Sequence, residues 1–408
     1  MRGRFSGLIT TGAIVVAGVG AVISVCITPA CAQAPEASAI AADSTLKTPW
    51  GEPDLQGIWT DEFDTPLQRS AKYENQEFLT QAQRAELDKE RRALLDRDQR
   101  GERGTEADVA GAYSFAVFLS TKHTGARTSL IVDPPNGRIP PLTPEAQKAA
   151  AADREFHLAL LQSTQTCKNK GVVCSGGKYD PTSSPRRAEP PPRYNTIDFG
   201  SINRLDGPED GALADRCLTG GLPEFGTPFG GSFRRIVQTP SGISMFYDVG
   251  QGQGWQRNIV MNGSPHLPLN IRQWYGDSRG HWEGNTLVID VTNFSAKTDF
   301  QGSRENLHLV ERWTRAGPTT MAYEVRVEDP TVWTQPWIAK QEFTLQSNVE
   351  NRIYSEPRCH EGNYGLPGII HGRRMEERAF VEGRGPDPAT KDAMKAGFIS
   401  DDDVFPLR

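Results

Sequence analysis

From Arg234 onward, apolar and polar residues alternate in short runs separated by turn residues. The runs are "RRIVQT", "GISMFYDV", "QRNIVMN", "RQWYG", "NTLVIDVTNF", "NLHLVERWT", "MAYEVRVED" and "IAKQEFTLQ". A period of two places one side chain set on each face of a strand. Met321, Tyr323, Val325 and Val327 fall on one face, and Ala322, Glu324, Arg326 and Glu328 on the other. Such a strand is half buried and wet on one side. "GDSRG" and "EGN" read as turns between strands. Eight strands without intervening helical periodicity predict a mainly β (α+β) fold, an antiparallel curled sheet or barrel over residues 201–375.

The first half has a different pattern. "DLQGIWT" (54–60) reads as a strand, and so does the stretch from Ser129 to Asp133. "FLTQAQRAELDKERRALLDRD" (78–98) reads as a helix, with Thr80 and Gln83 spaced as a capping box. Thr143 followed by Pro144 starts a second helix running to about Gln162, since proline is tolerated in the first turn. Residues 164–193 are rich in Pro, Gly and Ser and read as an exposed loop. The expected organisation is therefore a signal peptide (1–32), then a linker, two helices and a stapled loop (33–200). The β domain (201–375) and a C-terminal tail (376–408) follow.

The amino terminus changes the compartment. Arg2 and Arg4 precede an apolar run from Leu8 to Ile27, and "TPACAQAP" offers a small-x-small cleavage site after Ala32. This predicts export, to the periplasm or the medium, with no stable membrane insertion after cleavage. Loss of Arg2 and Arg4 takes the net charge from −6 to −8. The acids are spread along the chain, which argues against a nucleic-acid partner. Cys167, Cys174, Cys217 and Cys359 remain after cleavage, and an even count in an oxidising compartment predicts two disulfides. A local Cys167–Cys174 loop would leave Cys217 with Cys359, although the spacing allows three connectivities.

Familiar catalytic signatures are missing. "VGQGQGW" precedes no helix pattern, so it is a hairpin loop rather than a dinucleotide fingerprint. "SGGK" (175–178) sits in a Pro/Gly loop, not at a helix start. Cys359, His360 and Glu361 are consecutive in "EPRCHEGNYG". Cys359 is read as half of a disulfide rather than a nucleophile, with His360 and Glu361 as polar groups beside it.

The candidate chemistry lies in "YGDSRGHWEGNTLVIDVTNF" and "SRENLHLVERWTR". Leu307, Leu309, Glu311 and Trp313 share one strand face, an unusual setting for a carboxylate. Glu311 is then either a proton-transfer group or half of a buried ion pair, with Arg279, Arg312 and Arg315 as available partners. His308 falls on the opposite face with Val310 and Arg312. Five of the eight tryptophans fall between 274 and 337, as core or as ligand-covering rings. The candidate catalytic set is Asp277, Arg279, His308, Glu311, His360 and Glu361, with Glu283 nearby. The candidate ligand-binding set is Trp282, Asn293, Trp333 and Trp337. No cofactor or metal is implied by these motifs. The partner is a small apolar or aromatic molecule, handled by an acid-base enzyme (lyase, isomerase or hydrolase). The alternatives are a binding protein without catalysis and a structural envelope protein.

"GDSRG-x-W-EG" and "CHEGNYG", with "RTSLIVDPPNGRIPPLTPEAQ", "NLHLVERWTR" and "WTQPW", resemble a large group of secreted bacterial proteins across nearly the whole mature chain. The resemblance implies an exported bacterial protein and brings no catalytic residue with it. "QGIW" is also similar to the G-x-W of lipocalin-like barrels, through Gly57 and Trp59. The arginine expected to close such a barrel against the tryptophan is not placed by the sequence.

Overall fold

The computed structural model describes residues 46–95, 103–104, 122–171, 174–194, 203–211, 213, 216–218, 221–225, 233–250, 253–347, 360 and 364–391. The expected signal peptide (1–32), Cys359 and Glu361 lie outside these residues.

In chain order, the first half supplies β1 (Gly57–Thr60), β2 (Phe63–Asp64), α1 (Gln81–Leu95), β3 (His123–Thr124), β4 (Ile131–Asp133), α2 (Pro144–Leu161) and α3 (Gln165–Lys168). The second half supplies β5 (Phe233–Thr239), β6 (Gly242–Gly250), β7 (Gln253–Val260), β8 (Asp277–Glu283) and β9 (Thr286–Thr292). Then come β10 (His308–Arg315), β11 (Thr320–Glu328), β12 (Trp337–Leu345) and α4 (Gly365–Val381).

Nine strands close into a barrel in the order β1-β5-β6-β7-β8-β9-β10-β11-β12. β1 closes it, pairing antiparallel with β5 (Trp59↔Arg234) and with the end of β12 (Trp59↔Leu345, Thr60↔Thr344). β4 adds to the other end of the same β12 edge. The barrel therefore uses a strand from before residue 200 as its seal. β2 and β3 form a separate two-stranded parallel sheet.

Trp59 is fully buried, and its indole donates to the Leu55 carbonyl at 2.9 Å. Arg315 lies against this tryptophan. Its guanidinium lies 5.5 Å from the centre of the Trp59 ring and donates to the Asp54 carbonyl at 2.7 Å. The residue-level pattern explains the walls. Met321, Tyr323, Val325 and Val327 of β11 face inward and are buried, and Leu287, Ile289, Val291, Leu309 and Trp313 join them. Both capping predictions appear as hydrogen bonds. Gln83 N–H donates to Thr80 Oγ1 (3.2 Å) while Thr80 N–H donates to Gln83 Oε1 (2.8 Å). Thr143 Oγ1 accepts from Ala146 N–H at 3.1 Å. Cys167 and Cys174 form a disulfide, stapling the predicted loop. Cys217 is also disulfide-bonded, and the cysteines left to partner it lie outside the described residues.

Three local expectations are corrected. "GDSRG" is not a turn but the start of β8; the turn precedes it at Trp274 and Tyr275, and Gly276 leaves it at φ +67°. Gly280 reads as a turn residue, yet it is needed for close approach. A Cβ there would lie 2.5 Å from Met261 Sδ and 2.7 Å from Ile259 Cγ2. "RQWYG" is a loop, touching the sheet through one bridge, Gln273↔Phe294. As a result β7 and β8 are joined by a long crossover and meet in parallel, through Val260↔Arg279, rather than antiparallel. Finally, α4 runs across the expected start of the C-terminal tail. Glycines at 368 and 372 weaken its local propensity. Arg373 compensates by donating to the Asn203 carbonyl (2.6 Å) and the Pro388 carbonyl (3.0 Å).

Candidate functional site

β5, β6, β7, β10, β11 and β12 each turn at least one polar side chain into the barrel. Strand parity decides which. Arg234 is directly across from Trp59 and Tyr247, Arg257 from Met245, and Glu311 from Ile289 and Val325. Glu311 is fully buried. Its Oε2 lies 2.6 Å from an Arg257 guanidinium nitrogen, and Tyr323 donates its hydroxyl to Oε1 at 2.9 Å. Burial would lower the Arg257 guanidinium, but the Glu311 carboxylate beside it holds it above its ordinary value. Burial also pushes the Tyr247 hydroxyl up to about 12 and raises that of Tyr323, so both stay protonated donors. The expected ion pair is therefore real, but its cation is Arg257, not Arg279, Arg312 or Arg315. Arg312 instead pairs with Glu283 on the outside.

Arg234 has no such partner. It is 1 % exposed and its guanidinium stacks 4.2 Å from the Phe343 ring and 5.4 Å from that of Tyr247. One nitrogen donates to the Glu224 carbonyl. Its Nε and Nη1 find no acceptor, and neither do Nε and Nη1 of Arg257. Asp61, just past β1, is also buried. Its Oδ2 accepts from Lys122 Nζ at 2.8 Å and from Gln341 at 3.2 Å, while Oδ1 has no donor. Burial raises the Asp61 carboxyl above its ordinary value, against the pull of Lys122 and Arg234. The rings around this group include the stack Tyr247–Trp255–Tyr275, with centroids 4.1 and 3.8 Å apart. Phe225, Tyr323 and Phe343 complete it. Buried polar atoms normally find partners, and here Arg234, Arg257 and Asp61 each keep atoms that do not.

Three of the predicted charges, Asp277, Arg279 and His308, lie outside the barrel, in one chain. Arg279 grips Asp277 with two hydrogen bonds of 2.9 Å. Asp277 also meets His266 Nδ1 at 2.9 Å, and His266 Nε2 meets Asp290 at 2.9 Å. Asp290 then meets His308 Nε2 at 3.2 Å, and His308 Nδ1 meets Glu328 at 2.6 Å. Arg326 pairs with the far oxygen of Glu328. The hydrogen bond to Asp290, against burial and with help from Glu328, raises the His308 imidazole. Burial works against the Asp277, Asp290 and Glu328 carboxylates, yet the donors around each hold it below its ordinary value.

This placement separates the predicted set. His308 and Glu311 stand on opposite faces, as their spacing requires, so they cannot act on one ligand. Trp333 and Trp337 are not a rim. They are buried and meet edge to face at 5.8 Å, with Phe300 stacked on Trp337. Apolar rings follow the core when no polar backbone needs them outside. Trp282 is half-buried on the inner face of β8 and packs against the core. Asn293 is not free for a ligand. Its amide donates to the carbonyls of Leu267, Pro268 and Ile271 at 2.9, 3.1 and 3.1 Å, fixing the crossover loop that carries His266. His360 is exposed and lies in no strand. Cys359 and Glu361 beside it are outside the described residues. Among the described residues, no group of three or more His, Cys, Asp or Glu is arranged to hold a metal ion. None of the described helices is long and apolar enough to cross a membrane.

Arg234, Arg257, Asp61, Lys122, His266 and Asp290 were not singled out from sequence. One signal existed for the arginines. Arg257 alternates with Trp255 and Ile259, and Arg234 with Ile236, as Glu311 alternates with Leu309 and Trp313. No protein-family model matches the chain, and no curated protein matches it.

Proposed function

We propose that the chain is an exported binding barrel that takes one small, ring-bearing molecule into its interior. The export signal and the likeness to secreted bacterial proteins support the location, and the Cys167–Cys174 disulfide is compatible with it. The observation that carries the binding reading is the set of buried, unpartnered donors on Arg234 and Arg257 among aromatic rings. A barrel of this strand number has room for side chains and one small ligand, not a channel. Mostly apolar walls with a few convergent polar groups are what small-molecule sites present.

The pairing of Glu311 favours binding over catalysis there. A carboxylate held by Arg257 and Tyr323 is committed to structure. One observation keeps an acid-base enzyme as the second reading. Asp61 is buried, raised above its ordinary value and has one oxygen without a donor, as proton-transfer groups often are. Native mass spectrometry of the exported protein tests the first reading. A co-purified small molecule, lost on Arg234→Met, is expected. A protein that always flies at its bare mass, and whose melting point no small molecule shifts, would sink it.

A further inference from the structure

We infer that the joint between β7 and β8 is a pH-operated opening in the barrel wall, fastened by a clasp at His266 and loosened as the clasp's imidazoles lose their protons. The backbone picks out the joint. β7 pairs with β6 along its whole length, and β8 with β9 along its own. Between β7 and β8 there is one bridge, Val260↔Arg279. Even β1 and β12, where the barrel closes, share two pairs, Trp59↔Leu345 and Thr60↔Thr344. Local opening starts where few backbone hydrogen bonds hold a structure. Side chains cover the rest of the joint: Tyr275 stacks 3.8 Å from Trp255, and Ile259 and Met261 pack close over Gly280. The opening is an entrance for whatever the barrel takes up. Its test needs no ligand, so it stands or falls apart from the binding reading.

The groups around the bridge make it sensitive to pH. Arg279, the bridge residue, donates to Ser264 Oγ at 2.7 Å. Ser264 and His266 belong to the crossover that leaves β7. His266 ties that crossover to β8 through Asp277 and to β9 through Asp290, at 2.9 Å each. Leu267 N–H adds a bond to Asp277 at 3.0 Å. Both ring nitrogens of His266 therefore meet a carboxylate, and those of His308 meet Asp290 and Glu328. Only an imidazolium donates from both nitrogens; a neutral ring offers one N–H and turns a lone pair toward the second carboxylate. The charged groups facing the two rings are Asp277 and Arg279 on β8, Asp290 on β9, and Glu328 with Arg326 on β11. With both rings charged, His266, His308, Arg279 and Arg326 face three carboxylates; with both neutral, only the two arginines do. The clasp is complete while the imidazoles keep their protons and slackens as pH rises. The raised imidazole of His308 agrees with this direction. Acid loosens the clasp only once the carboxylates take up protons, and Asp277, Asp290 and Glu328 are all held below their ordinary values.

Met245 is the reporter. It is fully buried on β6, with its Sδ 3.7 Å from the Arg257 guanidinium of β7, while Met375 on α4 is exposed. The full chain is treated with hydrogen peroxide at about pH 5.5 and about pH 8.5, on either side of ordinary imidazole titration. Peptide mass spectrometry reads the sulfoxide at each methionine. Oxidation of Met245, relative to Met375, should rise about threefold with pH, the size expected of a partly solvated clasp. His266→Gln should give the fast rate at both pH values. His281→Gln, whose ring lies outside the clasp beside Glu283, should follow the parent. Amide exchange in β10 and β11 should stay slow throughout, which separates opening of the joint from unfolding. Equal Met245 rates at the two pH values, or an undiminished pH response in His266→Gln, would overturn the inference. So would a rise at Met245 matched by faster exchange in β10 and β11.

Discussion

At the scale of single residues, parity on a strand decides between two lives for a charged group. Glu311 points inward and is neutralised by Arg257; His308, three positions earlier, points outward between Asp290 and Glu328. Glu311→Gln keeps the shape but leaves the Arg257 charge unmatched. Urea unfolding should show a loss of about 3–5 kcal/mol, most of it recovered in the double change Glu311→Met, Arg257→Met. A single variant as stable as the parent would show that the pair is not buried as described. His308 makes a pH prediction. Its folded-state pKa is raised, so its contribution is complete below the unfolded value of about 6.5 and is lost as pH rises through the higher folded one. The parent chain should therefore lose melting temperature from about pH 6 to about pH 9 more steeply than His308→Asn. The difference should be about 1 kcal/mol or less, because the cluster is partly solvated. Asp290 and Glu328 have lowered values, so their contribution runs the other way and fades as pH falls below about 4. Equal pH slopes in parent and variant would remove His308 from the account.

At the scale of elements, the helices follow from local chemistry and the β7–β8 contact does not. Thr80, Gln83 and Thr143 satisfy the first N–H groups of α1 and α2 from within their own sequence neighbourhoods. β7 and β8 touch through one parallel bridge, and what lets them approach is the missing side chain at Gly280. Gly280→Val should overpack this contact against Ile259 and Met261 and cost about 1–3 kcal/mol in denaturant titration. Gly284 makes the control: it has φ +60° but nothing within 4 Å of an added Cβ. Gly284→Ala should therefore show only the smaller backbone strain of a left-handed turn, about 1 kcal/mol. If both substitutions cost the same, close approach is not the reason for Gly280.

For the whole molecule, the decisive feature is closure. β1 contributes four residues, yet it pairs with β5 along its length and with the end of β12. Without it, β5 and β12 would each expose an unpaired edge, which invites association between chains. A chain beginning at Glu62 should lose cooperative melting and elute as aggregate from size-exclusion chromatography. A monomer with the parent melting curve would mean that the other strands hold themselves. Closure also explains the interior chemistry. Only when the sheet returns on itself do Arg234, from β5, and Glu311, from β10, belong to one buried compartment.

By itself the sequence determined the mainly β class, the helix starts and the face on which each strand residue lies, because these depend on neighbours a few positions away; of the three cysteine pairings it allowed, the structure chose Cys167–Cys174. It pointed to Glu311 as out of place among apolar residues, and to the tryptophans as core or lining. Tertiary structure decided which cation meets Glu311, that His308 belongs to an outer chain with His266, and that Arg234 lies over the Phe343 and Tyr247 rings. Those facts depend on which strands become neighbours after closure, and alternation along one strand carries no information about the strand across the barrel.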